Sequence, residues 1–97
     1  MRTLDDIMTQ LSTLLPDLKR RYPIRSMGVF GSYVRDEQRD DSDLDVLVEF
    51  GDEAGLFEYA GLQLDLSDAL GMKVEVANRS ALKSCISLRI LAEVRML

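Results

Sequence analysis

The sequence predicts an α+β fold: a small mixed β-sheet of three or more strands with helices packed on one face. Three observations carry this prediction. Apolar residues recur every three or four positions in residues 4–18, 56–70 and 80–97, the spacing of amphipathic helices. Between these segments, residues 24–30, 43–50 and 72–77 are short and alternate in polarity, as half-buried strands do. With 97 residues and 46% hydrophobic content, the chain can build one adequate core, so a single domain spanning 1–97 is expected.

Taken in order, Thr3 is the candidate N-cap of the first helix, with Asp5 and Asp6 in the first turn where the helix dipole favours negative charge. Leu4, Ile7, Met8, Leu11, Leu14, Leu15 and Leu18 form its apolar stripe. Pro16 is expected to kink or reset the helix near Leu15, and Pro23 ends the segment. In the strand Ile24 to Phe30, small Ser26 and Gly28 alternate with Met27 and Val29. Gly31 and Ser32 close that strand, and Ser32 is placed to cap a short helix carrying Tyr33, Val34 and Arg35.

Asp36 to Ser42 reads as a polar loop leading into the strand Asp43 to Phe50. Gly51 to Gly55 is a turn, and the helix that follows runs from about Leu56 to Leu70, with Gly71 as its stop. A third strand, Met72 to Ala77, turns Met72, Val74 and Val76 one way and Lys73 and Glu75 the other. Ser80 to Leu97 closes the chain as a helix. Its stripe of Leu82, Cys85, Ile86, Ile90, Leu91, Val94 and Leu97 is widened by Leu88 and Met96, which suits a partner as well as a core.

Composition removes several function classes. No apolar run reaches the roughly 18 residues that cross a bilayer, and Asp5 and Asp6 interrupt any secretory signal, so a cytoplasmic, non-membrane protein is expected. A net charge of −5 argues against general nucleic-acid binding, which needs clustered Lys and Arg. The absence of histidine excludes imidazole-based hydrolases and His-ligated zinc. The lone cysteine, Cys85, cannot form an internal disulfide and reads as a small core or interface residue.

The chemistry concentrates around the second strand. Asp36, Glu37, Asp40, Asp41, Asp43 and Asp45 fall within ten residues, offset by Arg35 and Arg39, a density of charge that calls for a cation. Because strand side chains alternate, Asp43 and Asp45 share one face while Leu44, Val46, Val48 and Phe50 share the other. If the third strand lies beside this one, Glu75 becomes a third carboxylate on the acidic face. An EF-hand at Asp41, Asp43 and Asp45 is excluded by Val46, which stands where that loop needs glycine. Hard oxygen ligands of this kind suit magnesium, and two ions about 4 Å apart could hold the attacking and leaving oxygens of a phosphoryl displacement. The Gly31-Ser32 turn, with free backbone N–H groups, would face the phosphates; on its own, such a turn is also simply a turn.

Gly31-Ser32, ten intervening residues, then Asp43-Leu44-Asp45 preceded by Ser42, resembles the GS-x10-DxD signature of nucleotidyltransferases related to DNA polymerase beta. The order of elements matches over essentially the whole chain, and the short length and the position of Arg35 look like the minimal nucleotidyltransferases, or MNT proteins. That resemblance implies a polymerase-beta-like fold and transfer of AMP from ATP, with magnesium, to a tyrosine of a HEPN-domain RNase toxin, which silences the toxin. It implies Asp43, Asp45 and Glu75 as metal ligands and catalytic residues, and Gly31, Ser32, Arg35 and Ser42 as nucleotide-binding residues. The chain departs from the family pattern at Val34, where a smaller residue is common, at Asp36, where glycine is frequent, and at Glu75, where aspartate is common.

Two functions are therefore expected to compete. One is an AMP-transferring enzyme acting on a protein, motivated by the intact Gly31, Ser32, Asp43, Asp45 and Glu75 set. The other is a binding module that neutralises a toxin by covering it through the terminal helix and other apolar surface. Transfer to RNA or a small molecule is disfavoured by the acidic balance and by the lack of room for an acceptor-binding domain.

Overall fold

A capping box starts the first helix. Thr3 Oγ1 accepts the Asp6 N–H (3.3 Å) and the Asp6 carboxylate accepts the Thr3 N–H (3.2 Å), satisfying two donors that the helix itself leaves free. The computed structural model describes residues 3–39, 41–51, 55–78 and 84–97, excepting the side chains of 84–87. The expectations for Asp40, for residues 52–54 of the turn before the second predicted helix, for the start of the last helix and for the side chain of Cys85 lie outside this set.

Helix α1 spans Leu4–Arg21 and is followed by strand β1, Ile24–Phe30. Pro16 does not reset α1, which runs unbroken through it. Proline removes the N–H that would bond the Ser12 carbonyl, but Ser12 and Pro16 both lie on the exposed side, where water can take that carbonyl. Strand β2 spans Leu44–Phe50, helix α2 Leu56–Leu70 and strand β3 Val74–Asn78. Gly71 ends α2 in the left-handed conformation (φ 66°), as its position in the sequence foretells.

The end of the chain corrects the sequence reading. The last helix, α3, covers Ser84–Glu93 and stops; Arg95–Met96 then forms a short strand, β4. β4 pairs antiparallel with β1, Gly28 opposite Met96 and Val29 opposite Arg95, and the Leu97 N–H reaches the Met27 carbonyl (3.0 Å). Pairing along β1 outweighs the helical periodicity of Val94 and Leu97. Gly28 permits it, because a Cβ there would press on Met96 Sδ at 2.7 Å and Val94 Cγ2 at 2.8 Å.

The sheet order is β3-β2-β1-β4, with β2 antiparallel to β1 and parallel to β3. One face is the core. Met27 and Val29 from β1, Leu44, Val46 and Val48 from β2 and Val74 from β3 meet Ile7, Leu11 and Leu18 of α1 and Leu62, Leu66 and Leu70 of α2, all essentially buried. Tyr22 Oη donates to Asp65 (2.5 Å) and Arg21 pairs with the same carboxylate (3.0 Å), tying the end of α1 to α2. No helix among the described residues is long and apolar enough to cross a membrane.

The two faces of α2 yield a direct test. Leu66 is 0% exposed and Leu64 66% exposed. Leu66→Ala is expected to cost about 2–5 kcal/mol in urea unfolding, while Leu64→Ala stays within about 0.5 kcal/mol of wild type. Equal effects would contradict this packing.

Candidate active site

The face of the sheet away from the core carries the carboxylates at one end, with the buried Leu47 further along the same face of β2. Register places Phe30 opposite Asp45 across β1 and β2, and Asp45 opposite Glu75 across β2 and β3. Side chains directly opposed on adjacent strands point to the same face, some 5 Å apart at the backbone. Three chain segments far apart in sequence thus meet at one sheet end: the Gly31 turn, the start of β2 and the start of β3. Glu75 stands on the acidic face beside Asp45, as the strand alternation predicts.

Gly31 fits here as no other residue would. Its φ is +85°, and a Cβ would overlap Asp45 Oδ2. The Gly31 carbonyl accepts the N–H groups of Val34 (3.1 Å) and Arg35 (3.2 Å), and the Ser32 carbonyl that of Glu37 (2.9 Å). The short helix expected after Ser32 is therefore a run of turn, residues 32–36, which Asp36 ends at φ +58°. Asp36, named above as a departure from glycine, sits in the left-handed region that glycine enters freely. The Ser32 hydroxyl has no hydrogen-bond partner among the described residues.

Arg35 lies across the turn. Its Nη1 reaches both carboxylate oxygens of Glu93 on α3 at 3.2 Å, and its Nε lies 3.4 Å from Glu37 Oε2. The Gly31 N–H also donates to Glu93 Oε1 (3.2 Å). Ser42 acts locally, its hydroxyl accepting the Arg39 N–H (2.7 Å) and closing the turn that launches β2. Asp43, one residue before β2, pairs loosely with the exposed Lys73 ammonium at 3.6 Å. Asp45, Gly31, Arg35, Arg89, Ile90 and Glu93 line an open cavity of about 330 Å³.

Electrostatics single out Asp45. Partial burial, then the charges of Glu75 and Asp43, push its carboxyl above the ordinary 3.8, with Arg35 offsetting part of the effect. A half-buried carboxylate repelled by Glu75, Asp43 and, more weakly, Glu93 is chemistry that a hard cation relieves, so the donor set suits magnesium. Among the described residues, no three acidic or sulfur side chains are drawn close enough to enclose an ion. A shared ion thus requires side-chain convergence, and the extra methylene of Glu75 supplies reach.

Sequence reasoning missed Glu93 and Arg89. Both reach the site from α3, and the only local sign was that Glu93 is the sole acid between residues 84 and 93.

A mixed sheet whose glycine turn and acidic strand ends meet away from the core is the architecture of a nucleotidyl-transfer domain. Comparison with known proteins agrees. A family model described as nucleotidyltransferase domain matches residues 11–95. Protein adenylyltransferase MntA of Thermococcus cleftensis is 40% identical over 94 residues, covering 97% of this chain and 95% of its own. A solved minimal nucleotidyltransferase superposes with a TM-score of 0.83 at 32% identity, over 99% of this chain and 97% of that one. A chain from the complex of tri-AMPylated Shewanella oneidensis HEPN toxin with MNT antitoxin shares the fold (TM-score 0.69, 17% identity, 92% of this chain and 69% of that one). The chain belongs to the nucleotidyltransferase domain family, among its minimal members.

Two outcomes follow from this geometry. Because the folded state raises the Asp45 pKa, the ionised carboxylate costs stability above that raised value, and the cost is relieved as pH falls back through it toward 3.8. Asp45→Asn should therefore raise the melting temperature of the metal-free protein near neutral pH and reduce its dependence on pH across that window. Differential scanning calorimetry at several pH values checks this; a lower melting temperature would count against it. Asp36→Gly should stabilise by up to about 1 kcal/mol in denaturant titrations, since glycine enters the left-handed region without steric cost.

Proposed function

We propose that this chain transfers AMP from ATP to a tyrosine of a HEPN-family RNase toxin and thereby silences it. The observation that carries the reading is the meeting of Asp45 and Glu75, in register, beside the Gly31-Ser32 turn. A relative named as a protein adenylyltransferase, 40% identical over nearly the whole chain, supports AMP as the transferred group. The AMPylated HEPN toxin in the related complex supports the acceptor.

The Gly31-Ser32 turn and Arg35 receive the triphosphate, and Ser42 keeps the following loop in shape. Asp43, Asp45 and Glu75 would hold magnesium, as two ions, which would supply charge to neutralise the phosphates and the leaving group. The acceptor hydroxyl attacks the α-phosphorus, the bond to the β-phosphate oxygen breaks, and pyrophosphate departs. Glu75, the exposed carboxylate of the three, takes the hydroxyl proton. The setting is the cytoplasm, with a protein acceptor rather than nucleic acid or membrane.

A second reading rests on exposed apolar surface. Leu56 is 83%, Phe57 90% and Leu88 72% exposed, which suits neutralisation by direct complex formation.

Incubation with labelled ATP, magnesium and the candidate toxin separates the two readings. Labelled toxin is expected with the wild-type chain, and none with the Asp43→Asn/Asp45→Asn double variant, a loss of at least about a hundredfold. A well-folded pair that stays unlabelled would overturn the enzymatic reading. Full protection by the double variant at stoichiometric dose would favour sequestration.

A further inference from the structure

We infer that Glu93 is a resident anion of the phosphate cradle, a carboxylate that the nucleotide's phosphate must displace and that therefore sets nucleotide affinity. The inference rests on the reading of the Gly31-Ser32 turn and Arg35 as the phosphate-binding element. Three contacts support it. Glu93 Oε1 accepts the Gly31 N–H at 3.2 Å, and Arg35 Nη1 reaches Oε1 and Oε2 at 3.2 Å each. The Glu93 side chain is only 19% exposed, although it is charged and belongs to the last turn of a helix.

A carboxylate and a phosphate make the same demand on such a cradle. Both are acceptor-only anions that seek backbone N–H groups and guanidinium donors. The two cannot share these donors, because the Gly31 N–H is single and like charges at contact distance repel. Glu93 is also held in place by the fold. Two residues further on, β4 pairs with Gly28 and Val29, so the helix end that carries the carboxylate is anchored to the strand that carries the turn. Displacement is therefore a swing of the side chain. Arg35 then exchanges a carboxylate for a phosphate, and Arg89, which lines the same cavity, is a further cation within reach of the incoming charge.

The rival arrangement has Glu93 buttressing Arg35 and staying put when nucleotide arrives. The two predict opposite signs. Glu93→Gln keeps an oxygen for the Gly31 N–H but removes the negative charge, exchanging charge-assisted hydrogen bonds for neutral ones. If Glu93 competes with phosphate, this variant should bind ATP about three- to tenfold more tightly than wild type. Glu93→Asp withdraws the carboxylate by one methylene and should tighten binding by a smaller factor, which keeps the test open if the glutamine variant folds poorly.

Isothermal titration of the full chain with ATP and magnesium, and separately with inorganic tripolyphosphate, measures both effects. Tighter binding of both ligands by the variants supports the inference. Wild-type ATP binding that is unchanged or weakened in the variants would overturn it while leaving the nucleotide site intact. Failure of every form to bind either ligand would overturn the phosphate-binding reading itself, and this inference with it.

Discussion

The parallel pairing of β2 with β3 is the contact on which the site depends. β2 is one strand with two unlike faces. Leu44, Val46 and Val48 are fully buried against α1 and α2, each contributing on the order of 1.5–3 kcal/mol through burial, while Asp45 points the other way. A slip of one residue would bury the aspartate and expose the valines, so the core fixes the register and the register fixes the carboxylates. The like-charge repulsion at Asp45, Glu75 and Asp43 is tolerated because the apolar face of the same strand offsets it.

The glycine turn is held with equal firmness from the other side of Asp45. Gly31 has a left-handed backbone and no room for a side chain, so the turn and the acidic strand pack as one unit. The end of the chain then joins that unit. β4 lies along β1 at Gly28, and α3 brings Glu93 onto the Gly31 N–H and Arg35. The sheet end that carries the carboxylates is thus built from early, middle and late parts of the sequence, and nucleotide would enter a cradle that already holds an anion.

Much of this was legible in the sequence because it depends on local pattern. Thr3 and Gly71 mark helix ends through chemistry that a few residues contain, and the alternation in β2 and β3 places Asp45 and Glu75 on one face. What was not legible depends on contacts distant in sequence. Two residues, Arg95 and Met96, form a strand only because β1 has a free edge and Gly28 makes room, and nothing in their own periodicity signals it. Glu93 reads as one acid on an apolar helix until the turn 62 residues away in sequence is set beside it. Pro16 leaves α1 unbroken because its usual cost is small where the orphaned carbonyl faces water. The turn after Ser32 stopped short of a helix because Asp36 adopts a left-handed backbone.

The proposed site is one cation-binding group formed by Asp43, Asp45 and Glu75 at the end of the sheet. It is tested most directly by a magnesium titration of the metal-free protein, followed through the side-chain carboxyl carbon resonances in NMR. All three resonances are expected to move together with a shared dissociation constant, and to move again when ATP is added. A Glu75 resonance that stays still while Asp43 and Asp45 respond would contradict it.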